Sequence, residues 1–265
     1  MATQYDMSLR HGVDFNFRLD GQVAVVSGGL GGIAMATNEA LIAKGARVAI
    51  LYPRFEQERV AAAIETLGAD HAAAFPCDVG NEDDVAAAVD AAAERFGALH
   101  LLVNAAGTIT LTPAENITLE EWRRQIDVNL TGPFLCSKHF ARHVFARGHR
   151  GKIINIASQA ATVAIDQHCA YTSAKAGLIG MTKVLAKEWS RRGITVNTVS
   201  PTVVLTPMGA AAWEGEKGER MKELIPAGRF AYTDEIAAAI LFLASNGADM
   251  ITGADLMIDG GYTIC

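Results

Sequence analysis

The sequence has no apolar run long enough to cross a bilayer. Its longest, "IAAAILFLAS" (Ile236–Ser245), is half of the about 20 residues a membrane helix needs. The first twenty residues carry charges throughout and hold no apolar leader core, so no secretory signal is expected. Cysteine is scarce. The four (Cys77, Cys136, Cys169 and Cys265) form no CxxC pair, and with the histidines they show no metal-ligand spacing. Neither a disulfide framework nor a metal site is expected, and free thiols suit a reduced, cytoplasmic setting. Cys169, two residues before Tyr171, reads as a small buried thiol. Excess positive charge is also missing. The net charge is −6, which argues against a nucleic-acid partner. The one basic cluster, "RHVFARGHR" (Arg142–Arg150), precedes a strand and reads as a solvated helix end, where cations suit the dipole. No Gly-, Ser- or Pro-rich linker divides the chain.

What is present is a core. Half of the 265 residues are hydrophobic and a fifth charged, a globular composition of a length that suits one large α/β domain. Strand and helix signals alternate. Apolar strands are expected at "VAVVS" (Val23–Ser27), "RVAIL" (Arg47–Leu51), "AAAFPCDV" ending near Asp78, "LHLLVNAAG", "KIINIAS", "ITVNTVS" and "DLMIDGG". Helices are expected over 31–44, 55–67, the stretch "EDDVAAAVDAAAERFG" with Gly97 as its stop, 119–147 (two, broken near Gly132-Pro133), 171–191 and 234–244. Repeated strand–helix–strand units with strands buried on both faces define an α/β fold. A single-domain, Rossmann-like, doubly wound parallel sheet of about seven strands is expected. Residues 1–18 lack a period and read as an irregular arm, leaving 19–265 as the catalytic domain. The segment 206–226 breaks the rhythm with Pro207, Gly209, Trp213, Gly215 and Gly218, and reads as a lid beyond a strand's carboxyl end.

Four motifs fall into that frame. "SGGLGGIA" (Ser27–Ala34) follows the first strand and opens a helix, the arrangement that brings backbone amides to a pyrophosphate. "NAAG" ends the fourth strand, "NIAS" ends the fifth, and "YTSAK" sets Tyr171 and Lys175 four residues apart, with Ser158 thirteen upstream of the tyrosine. Residues at i and i+4 share one helix face. In this order the motifs resemble those of the short-chain dehydrogenase/reductase family over nearly all of Leu19–Tyr262. Ser27 and Ala34 depart from the family's glycine pattern, and Thr202 stands where a glycine usually follows Pro201.

The resemblance implies a catalytic set of Asn129, Ser158, Tyr171 and Lys175. An alcohol releases hydride readily only as its oxygen loses a proton, so a base is needed near neutral pH. Lowering a tyrosine from about 10 to about 7 takes roughly 4 kcal/mol of preference for the phenolate. A lysine ammonium one helical turn away contributes to it. Ser158 would hydrogen-bond the reacting oxygen, Lys175 would also hold the nicotinamide ribose, and Asn129 would anchor a water chain to solvent. The same resemblance places the cofactor against Ser27, Gly28, Leu30, Gly32, Ile33, Tyr52, Arg54, Asp78, Val79, Asn104, Ala105, Gly107, Pro201, Thr202, Val204 and Thr206.

Cofactor choice is less plainly written. An acid at the end of the second strand ordinarily holds the adenine ribose and excludes a 2′-phosphate. Here "ILYPRF" puts Tyr52 in that place, with Arg54 two beyond and Pro53 where a phosphate-binding arginine more often stands. NAD is favoured and NADP stays open. The lid, the surroundings of "YTSAK" and the ending "IDGGYTI" most resemble the family's polyol dehydrogenases. A small sugar alcohol is the expected substrate, with D-threitol first. Gln159 and His168 would bond hydroxyls, and Met208 and Trp213 would cover them. The rival readings are an NADPH-dependent 3-oxoacyl thioester ketoreductase, for which Arg142–Arg150 would be the carrier-docking patch, and a non-catalytic redox sensor. Assembly as a homotetramer is expected through the long helices.

Overall fold

A computed structural model describes residues 11–206, 209 and 213–264. In chain order the elements are β1 (Val23–Ser27), α1 (Gly32–Ala43), β2 (Arg47–Tyr52), α2 (Val60–Leu67), β3 (Ala72–Pro76), α3 (Glu82–Phe96), β4 (Leu101–Asn104), α4 (Leu119–Ile126), α5 (Gly132–Arg147), β5 (Gly151–Ile156), α6 (Cys169–Trp189), β6 (Ile194–Pro201), α7 (Glu216–Glu223), α8 (Thr233–Ala244) and β7 (Asp255–Ile258). The strands form one sheet in the order β3-β2-β1-β4-β5-β6-β7, and every pairing is parallel.

The strand sequences explain the two-sided burial. Side chains alternate faces along a strand. In β1, Ala24 and Val26 enter one core with α1, α2 and α8, while Val23 and Val25 enter the other with α3 and α5. In β2, Val48 and Ile50 join the first core, and Ala49 and Leu51 the second. A strand apolar at every position is thus what a sheet covered on both faces requires. The chain starts at β1, winds outward to β3, then returns to β4 on β1's other side. That reversal opens a crevice at the carboxyl ends of β1 and β4, where this architecture binds ligands.

The long helical stretch over 119–147 is irregular in a different way from that expected. It does not break at Gly132-Pro133; a π turn over Asp127–Thr131 joins α4 to α5. Pro133 lies in the first turn of α5, where its missing N–H is tolerated. Gly132 serves packing: a Cβ there would meet Val79 Cγ2 at 2.8 Å. The helix expected over 55–67 begins as a 3-10 segment, Arg54–Arg59, and becomes α-helical only at Val60. Helix α3 starts as expected: the Asn81 side chain accepts from the amides of Asp83 and Asp84, and Gly97 ends it at φ 91°.

Of the N-terminal arm, residues 11–18 lie on the chain's own body. His11 bonds Asp249 at 3.0 Å, the Asp14 amide donates to Asn246 Oδ1 at 3.0 Å, and Phe17 packs edge-on to Phe242. No helix among the described residues is long and apolar enough to cross a membrane.

Candidate active site

The crevice is built first by backbone. After Ser27 the chain turns at Gly28 with φ +62°, and a Cβ there would lie 2.6 Å from Ala106 Cα. Ser27 Oγ accepts from the Ala106 amide at 3.4 Å, so the loops after β1 and β4 touch across the switch point. Gly31 is the N-cap of α1, and neither a capping side chain nor a first-turn acid faces the amides of Gly32 and Ile33. Such a helix start suits an anion. Two side chains turn the loop's carbonyls outward: Asn38 Nδ2 donates to Gly29 O at 2.9 Å, and the Arg59 guanidinium donates to Leu30 O. The cradle fits a dinucleotide pyrophosphate.

At the end of β2, Tyr52 is buried and its hydroxyl bonds Gln57 Oε1 at 2.5 Å. Arg54 is 71% exposed and lies 3.9 Å from Asp84. Asp78 is exposed and accepts from the Gly80 amide, whereas Val79 is buried against Gly132. The neighbouring Cys77 thiol is pushed up to about 12 by burial, an inert group.

The carboxyl ends of β4 to β6 carry the polar chemistry. Asn104 Nδ2 donates to Asn155 Oδ1 at 2.7 Å across the β4–β5 register, and Asn155 Nδ2 donates to Thr182 Oγ1 of α6 at 2.8 Å. Asn104 therefore ties two strands and a helix together, and its own Oδ1 is buried without a partner. Ala105 packs beside the first core. Asn129 lies in the π turn. Its amide donates to Gln125 O and Thr108 O, both at 2.8 Å, and its Oδ1 accepts from the Thr108 amide at 3.2 Å. Pro133, four residues on, has no N–H to give the Asn129 carbonyl at α-helical spacing. A Cβ on Gly107 would lie 3.1 Å from Asn129 Oδ1 and 3.9 Å from Lys175 Nζ, so that glycine leaves the gap between them open.

Lys175 is 4% exposed and donates to Ile156 O, the last carbonyl of β5, at 2.7 Å. Its ammonium lies 5.6 Å from the Tyr171 ring centroid. Burial pulls Lys175 down to about 8. Burial also pushes the Tyr171 phenol up, opposed by the hydrogen bond from Ser158. The sequence led us to expect the ammonium to lower the phenol. In the protein alone, desolvation raises the phenol instead, because a phenolate here gives up water. Ser158 also caps the short turn that follows, accepting from the Ala160 amide at 3.1 Å.

The residues expected to touch substrate divide. Gln159 is 3% exposed with Oε1 unpartnered; Thr202, expected at the cofactor, follows β6 with a buried, unpartnered Oγ1. His168 sits 6.0 Å edge-on from Tyr171, and its Nδ1 bonds Asp166 O at 2.7 Å, leaving Nε2 as the acceptor of the neutral ring. Trp213 goes elsewhere: it packs on Phe230 in a satellite cluster with Met221 and Ile225, under the Lys217 ammonium. The groove of about 400 Å³ beside it holds no catalytic residue. Thr206 Oγ1 accepts from the Gly209 amide at 2.9 Å, Val204 bridges to Ala231, and Pro201 ends β6. Met208 and Cys265 lie outside the described residues, as do 1–10 of the arm and 207, 208 and 210–212 of the lid. Asn38, Arg59, Gln125, Thr182 and Ser137, whose Oγ also accepts from Asn104 Nδ2 at 3.2 Å, were not singled out from sequence. Their partners are set by strand order and loop shape, which spacing does not encode.

A parallel sheet with an anion-ready glycine turn, and a serine, tyrosine and lysine at the next crevice, is the constitution of a nicotinamide-dependent oxidoreductase. The chain belongs to the short-chain dehydrogenase/reductase family. A family model described as enoyl-(acyl carrier protein) reductase matches residues 28–263. A short-chain dehydrogenase/reductase from Serratia marcescens superposes with a TM-score of 0.86 at 35% identity, over 92% of this chain and 99% of that one. Among characterised relatives, the chain is similar to the D-threitol dehydrogenase of Mycolicibacterium smegmatis, 52% identical over 95% of this chain and 96% of that protein. It is also similar to the NAD-dependent glycerol dehydrogenase of Listeria innocua, 42% identical over 96% of this chain and 98% of that one.

Proposed function

We propose that the enzyme oxidises a hydroxyl of a short sugar alcohol, D-threitol first, to the ketose with NAD. The observation that carries this reading is the buried, unpartnered acceptor Gln159 Oε1, on the residue next to Ser158. An unpaired buried acceptor is costly, and a polyhydroxy substrate supplies the missing donor. The similarity to D-threitol and glycerol dehydrogenases supports it.

The nicotinamide ring supplies the hydride chemistry when bound. The protein's residues handle the proton and the geometry. Ser158 donates to the reacting oxygen and Tyr171 takes its proton. Lys175, anchored on Ile156 O, keeps a positive charge beside the phenol, and a bound oxidised nicotinamide adds a second. Those charges offset the desolvation that raises Tyr171 in the protein alone. The proton then leaves past Lys175 toward Asn129, through the gap left open at Gly107. The residues that would hold the cofactor run from Gly32 and Ile33 at the start of α1 to Asn104 and Thr202. A homotetramer belongs to the same reading: Phe134 on α5 and Val184 on α6 are 41% and 55% exposed and would be covered.

The test is the initial rate of NADH formation over a panel of D- and L-threitol, erythritol, glycerol, arabitol, xylitol and galactitol. NAD and NADP are each tested, with Tyr171→Phe as the blank. A rate on one stereoisomer of threitol, lost about 100-fold or more in the blank, is the expected result. Inactivity on every polyol together with reduction of a 3-oxoacyl thioester by NADPH overturns it.

A further inference from the structure

The end of β2 lacks the acid that this fold ordinarily sets against the adenine ribose, and Tyr52 does not replace it. Its phenol is buried and bonded to Gln57 Oε1. The nearest free-standing charges belong to the 3-10 segment that follows. There Arg59 uses both arms of its fork. Nη2 donates to the Leu30 carbonyl in the glycine turn, and Nη1 pairs with Glu56 Oε1 at 2.7 Å. A guanidinium's terminal nitrogens are about 2.3 Å apart, so the Glu56 carboxylate lies within about 8 Å of Leu30 O. It lies on the segment that directly follows β2 and is tied through Arg59 to the glycine turn, the two elements that embrace the adenine ribose in this architecture. Its side chain is 22% exposed, open enough to meet a ligand.

We infer that Glu56, positioned by Arg59, is the carboxylate that selects NAD over NADP. A carboxylate accepts a hydrogen bond from a ribose 2′-hydroxyl and repels a 2′-phosphate. The surroundings agree in sign. Arg54 and Arg59 face Glu56, Asp78 and Asp84, which leaves one net negative charge where a 2′-phosphate would bring more. Arg59 is spent on Glu56 and Leu30 O and is not free for a phosphate, and Arg54, 3.9 Å from Asp84, is outnumbered by the acids around it. Arg59 is a positioning residue: it fixes the carboxylate and also holds the Leu30 carbonyl away from the pyrophosphate.

The inference rests on the nicotinamide reading but not on the polyol. Its test is therefore direct binding: NADH and NADPH titrated by fluorescence, without substrate, into wild type, Glu56→Gln and Glu56→Asp. Wild type binds NADH more tightly. Glu56→Gln removes the repulsion and frees an arm of Arg59, shifting the ratio of dissociation constants about tenfold or more toward NADPH. Glu56→Asp keeps the charge and most of the preference. The melting temperature of each variant stays near that of wild type, because the pair is a surface pair. A Glu56→Gln ratio within twofold of wild type, equal weakening of both cofactors, or a wild-type preference for NADPH overturns the inference. Wild type binding neither cofactor overturns the nicotinamide reading itself.

Discussion

Gly28 is the tightest point of the crevice, and two glycines allow its contribution to be split. At Gly28 the backbone is left-handed (φ +62°), and an added Cβ would stand 2.6 Å from Ala106 Cα and 2.8 Å from Ala106 N. At Gly148, which ends α5, the backbone is equally left-handed (φ +66°), but an added Cβ meets nothing within 4 Å. Gly148→Ala therefore carries only the conformational term, about 1 kcal/mol. Gly28→Ala carries that term and a forced shift of main chain, about 1–3 kcal/mol more. For a chain of this length 1 kcal/mol is about 2 °C in melting temperature. Gly148→Ala should then fall by about 2 °C and Gly28→Ala by about 4–8 °C. The clash at Gly28 pushes the glycine turn and the Ala106 peptide apart and so distorts the cofactor cradle, and NADH affinity falls in Gly28→Ala and not in Gly148→Ala. The assays are thermal unfolding followed by circular dichroism and NADH titration on the same preparations. Equal melting temperatures for the two variants, or unimpaired NADH binding in Gly28→Ala, would refute the account of the turn.

Two further outcomes follow from groups away from the glycine turn. His100 Nδ1 and His143 Nε2 accept backbone N–H bonds from Val23 and Leu99, and burial holds both rings below their ordinary 6.5. The unfolded chain binds more protons than the folded one below that value. Their stabilisation is therefore present above pH 6.5 and is lost as pH falls from 6.5 toward the lower folded values. Melting temperature should drop between pH 7.5 and 5.5, and His143→Leu should flatten that slope while lowering the plateau; an unchanged slope would count against the histidines. Asn155→Leu takes away the shortest acceptor of the Asn104 amide, leaving its longer bonds to Ser137 Oγ and Pro133 O, and the donor to the Thr182 hydroxyl, and should cost about 1–3 kcal/mol. Denaturant titration measures this, and a cost under about 1 kcal/mol would mean the network relaxes.

Much of the molecule was legible because its signals are local. A strand buried on both faces is apolar at successive positions, so β1, β2 and β6 could be placed from sequence to within a residue. The glycine turn and the Tyr171–Lys175 spacing are likewise short-range, and the structure brings Ser158, Tyr171 and Lys175 together as expected. What was not legible depends on register and reach. Gly132-Pro133 carries the composition of a break, yet the glycine makes room for Val79, a residue from the far side of α3. Trp213 carries the composition of a lid, yet Phe230 claims it. Arg59 reads as an ordinary helix-surface cation until the loop places the Leu30 carbonyl beside it.

The two edges of the sheet differ in how their polar groups are spent, and that difference locates the chemistry better than any single motif. At the amino edge, Asp249 is shared by Lys152, Arg150 and His11, and two histidines close backbone amides; the buried Nε2 of His149 has no partner, and Lys152 Nζ has only its ion pair with Asp249. At the carboxyl edge, Asn104 Oδ1, Gln159 Oε1 and Thr202 Oγ1 are buried and unpartnered at the ends of three adjacent strands. A fold stabilised only for its own sake would not leave three acceptors unpaired in a row, since each costs about 1–3 kcal/mol. A ligand with donors along β4, β5 and β6 would recover that cost. A carboxamide at one end and hydroxyls at the other would do this, the donors that a nicotinamide cofactor and a sugar alcohol would bring under the proposed function.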